Sequence, residues 1–163
     1  MITLVLGGAR SGKSAIGERL VSRSEPPITY LATGTTTDED MAARIAAHRA
    51  RRPGVWATLE VASDALPDAL AAVVGSVLLD ALGTWVAGAP DFAVDVDGLC
   101  VALAARTGDT VVVSDEVGLG VHPSTAVGRR FRDVLGDVNR AVSDLADEVL
   151  LAVAGRVLRL EAE

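Results

Sequence analysis

The sequence predicts an α/β fold: a mostly parallel sheet with helices on both faces, closed by a C-terminal β-hairpin. Three observations predict it. Short apolar, β-prone runs alternate with helical patterns five times along the chain, as parallel strands joined by right-handed crossovers require. A glycine-rich turn joins the first of these runs to the first helical pattern. Finally, the runs 149–153 and 156–160 are separated only by Ala154-Gly155, the spacing of a hairpin.

The first element is the run 3–6 (Thr-Leu-Val-Leu), a buried strand by composition. It leads into Gly7-Gly8-Ala9-Arg10-Ser11-Gly12-Lys13-Ser14, which meets the pattern G-x-x-x-x-G-K-[ST] at every fixed position. Residues 15–23 then form a helix, with Ile16, Leu20 and Val21 at helical spacing. Strand, glycine loop and helix together make a phosphate cradle. Backbone N–H groups and the positive end of the helix dipole face the phosphate oxygens. Lys13 reaches the β- and γ-phosphates, and the Ser14 hydroxyl is placed to ligate Mg²⁺. Lys13 is also the only lysine, against fourteen arginines. A compact ammonium on a flexible stem is kept where a point charge is wanted. The fold class is therefore P-loop NTPase-like, and residues 1–163 read as a single nucleotide-binding domain.

Composition bounds the rest. Half of the 163 residues are hydrophobic and only 3% aromatic, so the core is aliphatic. A net charge of −7 and a pI of about 4.8 argue against a protein that coats nucleic acid or an anionic membrane. No apolar run approaches the roughly 18 residues of a membrane span. The N-terminus enters the first strand directly, which leaves no room for a signal peptide, so the expected location is the cytoplasm. Cys100, the single cysteine, excludes a disulfide framework and reads as a buried, inert thiol on a helix.

Beyond the loop at Pro26-Pro27, residues 28–32 form the second strand, followed by a loop over residues 33–37 at its carboxyl end. Open α/β sheets place ligands at that edge. Small hydroxyls beside Gly34 suit nucleotide contacts, and a plain connecting loop fits the same residues. Thr37 and Asp40 resemble a capping box opening a helix over residues 38–52, ended by Pro53-Gly54. Arg44, His48, Arg49, Arg51 and Arg52 make this helix densely cationic in an acidic protein. Dipole matching and a solvated face account for the arginines alone. His48 adds a second reading: like charge around it disfavours protonation and leaves a nucleophilic imidazole facing whatever anion the arginines hold.

Residues 56–60 form a short strand ending in Glu60, and residues 64–72 a short helix. The strand 77–80 ends in Asp80, the position of a Walker B acid that holds Mg²⁺ directly or through water. Residues 83–97, with Trp85, Gly88 and Pro90, read as a mobile connection, and residues 99–106 as a helix. Residues 110–114 are the most β-branched run and so a central strand. It delivers Asp115 and Glu116 to the same sheet edge, ahead of a loop containing Gly118, Gly120 and His122 that reads as substrate-facing, His122 itself reading as structural. Ser124 or Thr125 caps a long helix to residue 146, with Phe131, Leu135, Val138, Val142 and Leu145 on one stripe. Arg129, Arg130 and Arg132 near its start suggest an anion or partner contact, because the dipole there does not favour cations.

The glycine loop, Met41-Ala42-Ala43-Arg44-Ile45 before His48-Arg49, and Arg52-Pro53 with Trp56, Thr58 and Glu60 resemble one family. So do Glu116-Val117-Gly118-Leu119-Gly120, Phe131-Arg132-Asp133, Val138-Asn139-Arg140 and Ala146-Asp147-Glu148-Val149. It is the bifunctional adenosylcobinamide kinase / adenosylcobinamide-phosphate guanylyltransferase family of cobalamin biosynthesis. The resemblance implies phosphorylation of the aminopropanol hydroxyl of adenosylcobinamide by a nucleoside triphosphate, ATP or GTP. It also implies transfer of GMP from GTP, through a guanylyl-histidine, to adenosylcobinamide phosphate. By the same matching His48 is the guanylylated residue, and Ala32, Thr33, Gly34, Arg49, Ala50, Arg51, Arg52, Glu60 and Asp80 contact guanine nucleotide. A homo-oligomer, a trimer, is the assembly it suggests. Asp80 departs from an expected glutamate, and Asp115 stands where at least some relatives carry asparagine. A P-loop small-molecule kinase without transferase activity and a nucleotide-binding regulatory protein are the alternative readings; the arginine-ringed histidine argues against the second of these, since a switch has no need of it.

Overall fold

The computed structural model describes residues 1–33 and 54–162. Among the described residues seven strands form one sheet: β1 (Ile2–Gly7), β2 (Ile28–Ala32), β3 (Ala57–Glu60), β4 (Ser76–Asp80), β5 (Thr110–Asp115), β6 (Glu148–Val153) and β7 (Arg156–Leu160). Their spatial order is β3-β2-β4-β5-β1-β6-β7. Every pairing is parallel except the closing β6–β7 hairpin. The described helices are α1 (Lys13–Val21), α2 (Leu66–Ala72), α3 (Leu82–Gly88), α4 (Val96–Ala104) and α5 (Ala126–Ser143).

Strand periodicity sorts the aliphatic residues onto two faces. Leu4, Leu6, Leu31, Leu79 and Val112 point to one side, where they pack with Leu70, Trp85, Leu103, Leu135 and Val138 of α2 to α5. Their sequence neighbours Val5, Tyr30, Leu78, Val111 and Val113 point to the other, against Ile16 and Val21 of α1. Both faces are therefore covered, and the run read as a central strand is the fourth of seven in the sheet. Thr125 caps α5, its hydroxyl accepting from the Gly128 N–H at 3.1 Å.

The structure corrects several expectations. Residues 83–97 are not a mobile connection: α3 occupies 82–88, and Trp85 is fully buried. Its indole Nε1 donates to the Ser63 carbonyl at 2.7 Å. Leu82, Trp85 and Val86 are the i, i+3, i+4 set that buries this helix, and the glycines and proline around them disguised it. The fourth helix begins earlier than residue 99, because the Asp95 carboxylate caps it at Gly98 N. Helix α5 stops at Ser143 rather than 146. Cys100 is half-buried rather than buried. The expected helix over 38–52, with Arg44, His48, Arg49, Ala50, Arg51 and Arg52, lies outside the described residues, as does Gly34.

Candidate nucleotide site

The site lies at the carboxyl edge of the parallel strands, and strand register sets its layout. Ala32 pairs with Glu60 on one side and Asp80 on the other, so these three expected contact residues form one row across β3, β2 and β4. Gly7, the last residue of β1, is the register partner of Asp115 on β5.

After β1 the chain turns through Arg10 at φ 57° and Gly12 at φ 90° before α1 begins at Lys13. A side chain at residue 12 would be strained by that left-handed backbone, which is why glycine stands there. The turn is closed by Ser11 N–H donating to the Gly8 carbonyl at 3.2 Å. A second tie comes from the far end of the chain: Gly155 N–H, in the β6–β7 turn, donates to the Ser11 carbonyl at 2.8 Å. Ser11 is buried, while Ala9 and Arg10 are exposed at the mouth. The N-cap of α1 is Gly12, which has no side chain, and among the described residues no acid occupies its first turn. The Ser11 hydroxyl accepts from the Lys13 N–H at 3.4 Å, and the positive end of the helix is presented to that mouth.

Asp80 and Ser14 come together here. Asp80 Oδ1 accepts from the Ser14 hydroxyl at 3.2 Å, and Oδ2 accepts from the buried Tyr30 phenol at 3.0 Å. A hydroxyl and one carboxylate are hard oxygen donors of the kind Mg²⁺ uses alongside substrate phosphates. The donor set fits that ion. Tyr30 was not marked out by its sequence neighbourhood; its being the single tyrosine, inside a strand that ends at this edge, is the signal that was there.

Lys13 donates to the Gly8 carbonyl at 3.3 Å and to Asp115 Oδ1 at 2.7 Å. Asp115 is held from both sides. Its carbonyl accepts from Asn139 Nδ2 at 3.1 Å, and Asn139 Oδ1 in turn accepts from the Ser114 hydroxyl. Asn139 is buried on α5, where a polar residue inside an apolar stripe was the available signal. Glu116 N–H donates to the Gly7 carbonyl at 3.0 Å, which fastens the strand end to the glycine loop, and its carboxylate accepts from Gly118 N–H. Gly120 is exposed beyond it, between Leu119 and Val121 at 80% and 96% exposure.

Other expected residues sit differently. Thr33 is buried, its hydroxyl donating to the Ala81 carbonyl at 2.6 Å, so what it offers a ligand is backbone. Glu60 ends the edge strand β3 and is exposed. Arg129 is folded back onto the carbonyls of Pro123 and Ser124, and Arg132 pairs with Asp133 and His122, so neither is held out for an external anion. His122 is exposed, and its Nδ1 accepts from Arg132 at 2.8 Å, since a guanidinium only donates.

Known proteins resemble this chain in fold and in sequence. Among solved structures the fold resembles a prototypical ATPase from the type III secretion system of pathogenic bacteria, with TM-score 0.58 and 12% identity over 92% of this chain and 50% of that one. It also resembles the flagellar accessory protein FlaH of Methanocaldococcus jannaschii, with TM-score 0.51 and 15% identity over 96% and 74%. These likenesses show the fold. Curated relatives include the bifunctional adenosylcobalamin biosynthesis proteins CobP of Pseudomonas aeruginosa, 39% identical over 100% of this chain and 99% of its own length, and CobU of Salmonella typhimurium, 38% identical over 95% and 97%. The CobU protein of Escherichia coli is 35% identical over the same shares. Residues 3–160 match the family model of cobinamide kinase / cobinamide phosphate guanyltransferase, and the chain belongs to that family.

Proposed function

We propose that this chain phosphorylates adenosylcobinamide with a nucleoside triphosphate, ATP or GTP, and then converts the product to adenosylcobinamide-GDP with GTP. The observation that supports it most directly is the meeting of Ser14 with Asp80 beside Lys13 at the glycine loop, Lys13 itself pairing with Asp115, within a chain that matches the family from residue 3 to residue 160.

In the kinase step the loop N–H groups and the Lys13 ammonium orient the β- and γ-phosphates. The acceptor hydroxyl attacks the γ-phosphorus in line, the bond to the bridging oxygen of the β-phosphate breaks, the nucleoside diphosphate leaves and the hydroxyl proton passes to solvent. Ser14 and Asp80 would hold Mg²⁺, which supplies charge neutralisation on the phosphates when bound. In the transferase step an imidazole nitrogen of His48 attacks the α-phosphorus of GTP, the bond to the β-phosphate breaks and pyrophosphate leaves. The GMP then passes to the phosphate of adenosylcobinamide phosphate, and the imidazole is restored. Arg49, Arg51 and Arg52 offset the charge that builds on the α-phosphate, with Ala32, Thr33, Gly34, Ala50 and Glu60 around the nucleotide. The loop of Glu116, Gly118 and Gly120 serves as the substrate-facing side. We take residues 1–163 as one domain that works as a homo-oligomer, a trimer. Among the described residues no helix is long and apolar enough to cross a membrane.

The test is incubation with α-labelled GTP. Acid-labile, alkali-stable label is expected on wild type and absent from His48→Ala, which keeps its kinase activity. Equal labelling of the two proteins sinks the guanylyl-histidine step.

A further inference from the structure

The Lys13–Asp115 ion pair carries an inference of its own, which rests on reading residues 7–14 as a triphosphate loop. Lys13 Nζ lies 2.7 Å from Asp115 Oδ1, with the two side chains only 13% and 31% exposed. Partial burial removes most of the screening that makes surface pairs weak. The carboxylate is also seated. A Cβ on residue 83 would come within 2.3 Å of Asp115 Oδ2, so the place it occupies exists because Gly83, in the first turn of α3, has no side chain. Asn139 fixes the backbone behind it. Among the described residues Lys13 is the polar partner of this carboxylate. A nucleoside triphosphate needs the same ammonium for its β- and γ-phosphates, and a fixed carboxylate beside that ammonium repels them.

We propose that Asp115 is a built-in anionic competitor for Lys13, and so a specificity-determining residue. It lowers the affinity of the loop for nucleotides that extend to the β- and γ-phosphates and leaves monophosphates unaffected. Binding a triphosphate exchanges the carboxylate on Lys13 for phosphate oxygens. A residue that merely positioned Lys13 would have the opposite sign on removal, because a loosened lysine binds phosphate less well.

The experiment is equilibrium titration of wild type, Asp115→Asn and Asp115→Ser with fluorescent GTP and GMP analogues in excess Mg²⁺, each protein first checked for cooperative thermal unfolding. The serine variant stands in should the asparagine variant fail to fold. The triphosphate Kd is expected to fall about tenfold on removing the charge, equivalent to ~1.4 kcal/mol, with the GMP Kd moving less than about twofold. Triphosphate affinity that is unchanged or weaker, or equal tightening for GMP, overturns the competitor role. If wild type binds neither nucleotide, the triphosphate-loop reading falls with it; if wild type binds and the variants bind no tighter, only the competitor role falls.

Discussion

Ser14 Oγ lies 3.2 Å from Asp80 Oδ1, although β5 separates the strand that ends in Asp80 from the strand that leads to Ser14. The carboxylate therefore reaches past an intervening strand end to meet the glycine loop. With its other oxygen tied to Tyr30, Asp80 has one oxygen turned to the serine, where a metal shared with substrate phosphates would sit.

Asp80→Asn keeps the size and one acceptor oxygen but removes the charge. The expected outcome is a fall in kcat/KM for the kinase step on the order of 10²-fold, with a higher Mg²⁺ concentration for half-maximal rate. Measuring rate against Mg²⁺ at saturating nucleotide checks it. An unchanged Mg²⁺ midpoint would falsify the metal role.

Tyr30→Phe leaves the buried ring and removes only the phenol that donates to Asp80. Loss of one hydrogen bond to a charged acceptor costs roughly 1.5–3 kcal/mol of folding stability. Urea denaturation should show that loss at unchanged m-value. Asp80 would also gain freedom to rotate, so the Mg²⁺ midpoint should rise less than it does in Asp80→Asn. A variant as stable as wild type would show that the phenol contributes nothing net.

What was legible in the sequence was local. The loop 7–14 identifies itself because its glycines, lysine and serine meet the phosphate-loop pattern within eight consecutive positions, and the Thr125 cap and the Ala154-Gly155 turn are equally short-range. Helix α3 was not legible, because Gly83, Gly88 and Pro90 suggest a broken segment. Yet Gly83 is explained by a carboxylate 32 positions away that a Cβ would strike. The ties from Gly155 to Ser11 and from Asn139 to Asp115 were hidden for the same reason. They depend on strand order, which brings β5 and β6 to either side of β1 and which no local pattern encodes.

Cys100 should be a slow thiol. Burial first, then the charges of Asp97 and Asp144, push its ionisation above the ordinary thiol value. The thiolate is the reactive form, so alkylation by iodoacetamide at pH 8 should be slower than for a free thiol and should accelerate only at more alkaline pH. The linkage has a definite sign. Below the ordinary thiol value folded and unfolded chains are both protonated and stability is unaffected. Above it the unfolded chain ionises first, so the contribution is lost as pH rises towards the folded value. Labelling rates from pH 7 to 10, followed by intact mass, check this; a rate matching free thiol at pH 8 refutes it.

At the opposite edge of the sheet, Arg106 performs a purely structural task. Its Nη1 donates to the carbonyls of Leu70 and Val73 at 2.9 and 2.8 Å, Nη2 donates to Gly75, and Nε donates to the Thr110 hydroxyl at 2.9 Å. Leu70 and Val73 lie at the C-terminal end of α2, whose last carbonyls have no intrahelical partners and carry the negative end of the dipole. One planar fork thus closes that helix and ties it to the first residue of β5. Burial lowers the pKa of the guanidinium, but it remains charged across the ordinary pH range. Arg106→Ala should cost roughly 3 kcal/mol, since several carbonyls lose a charged donor together. Arg106→Lys should recover only a minor part, because an ammonium cannot span that fan of acceptors. Nucleotide KM should be unchanged in both, the site being at the other edge. Denaturant unfolding beside steady-state kinetics separates these effects, and a lysine variant as stable as wild type would show that charge, rather than the shape of the fork, closes the helix.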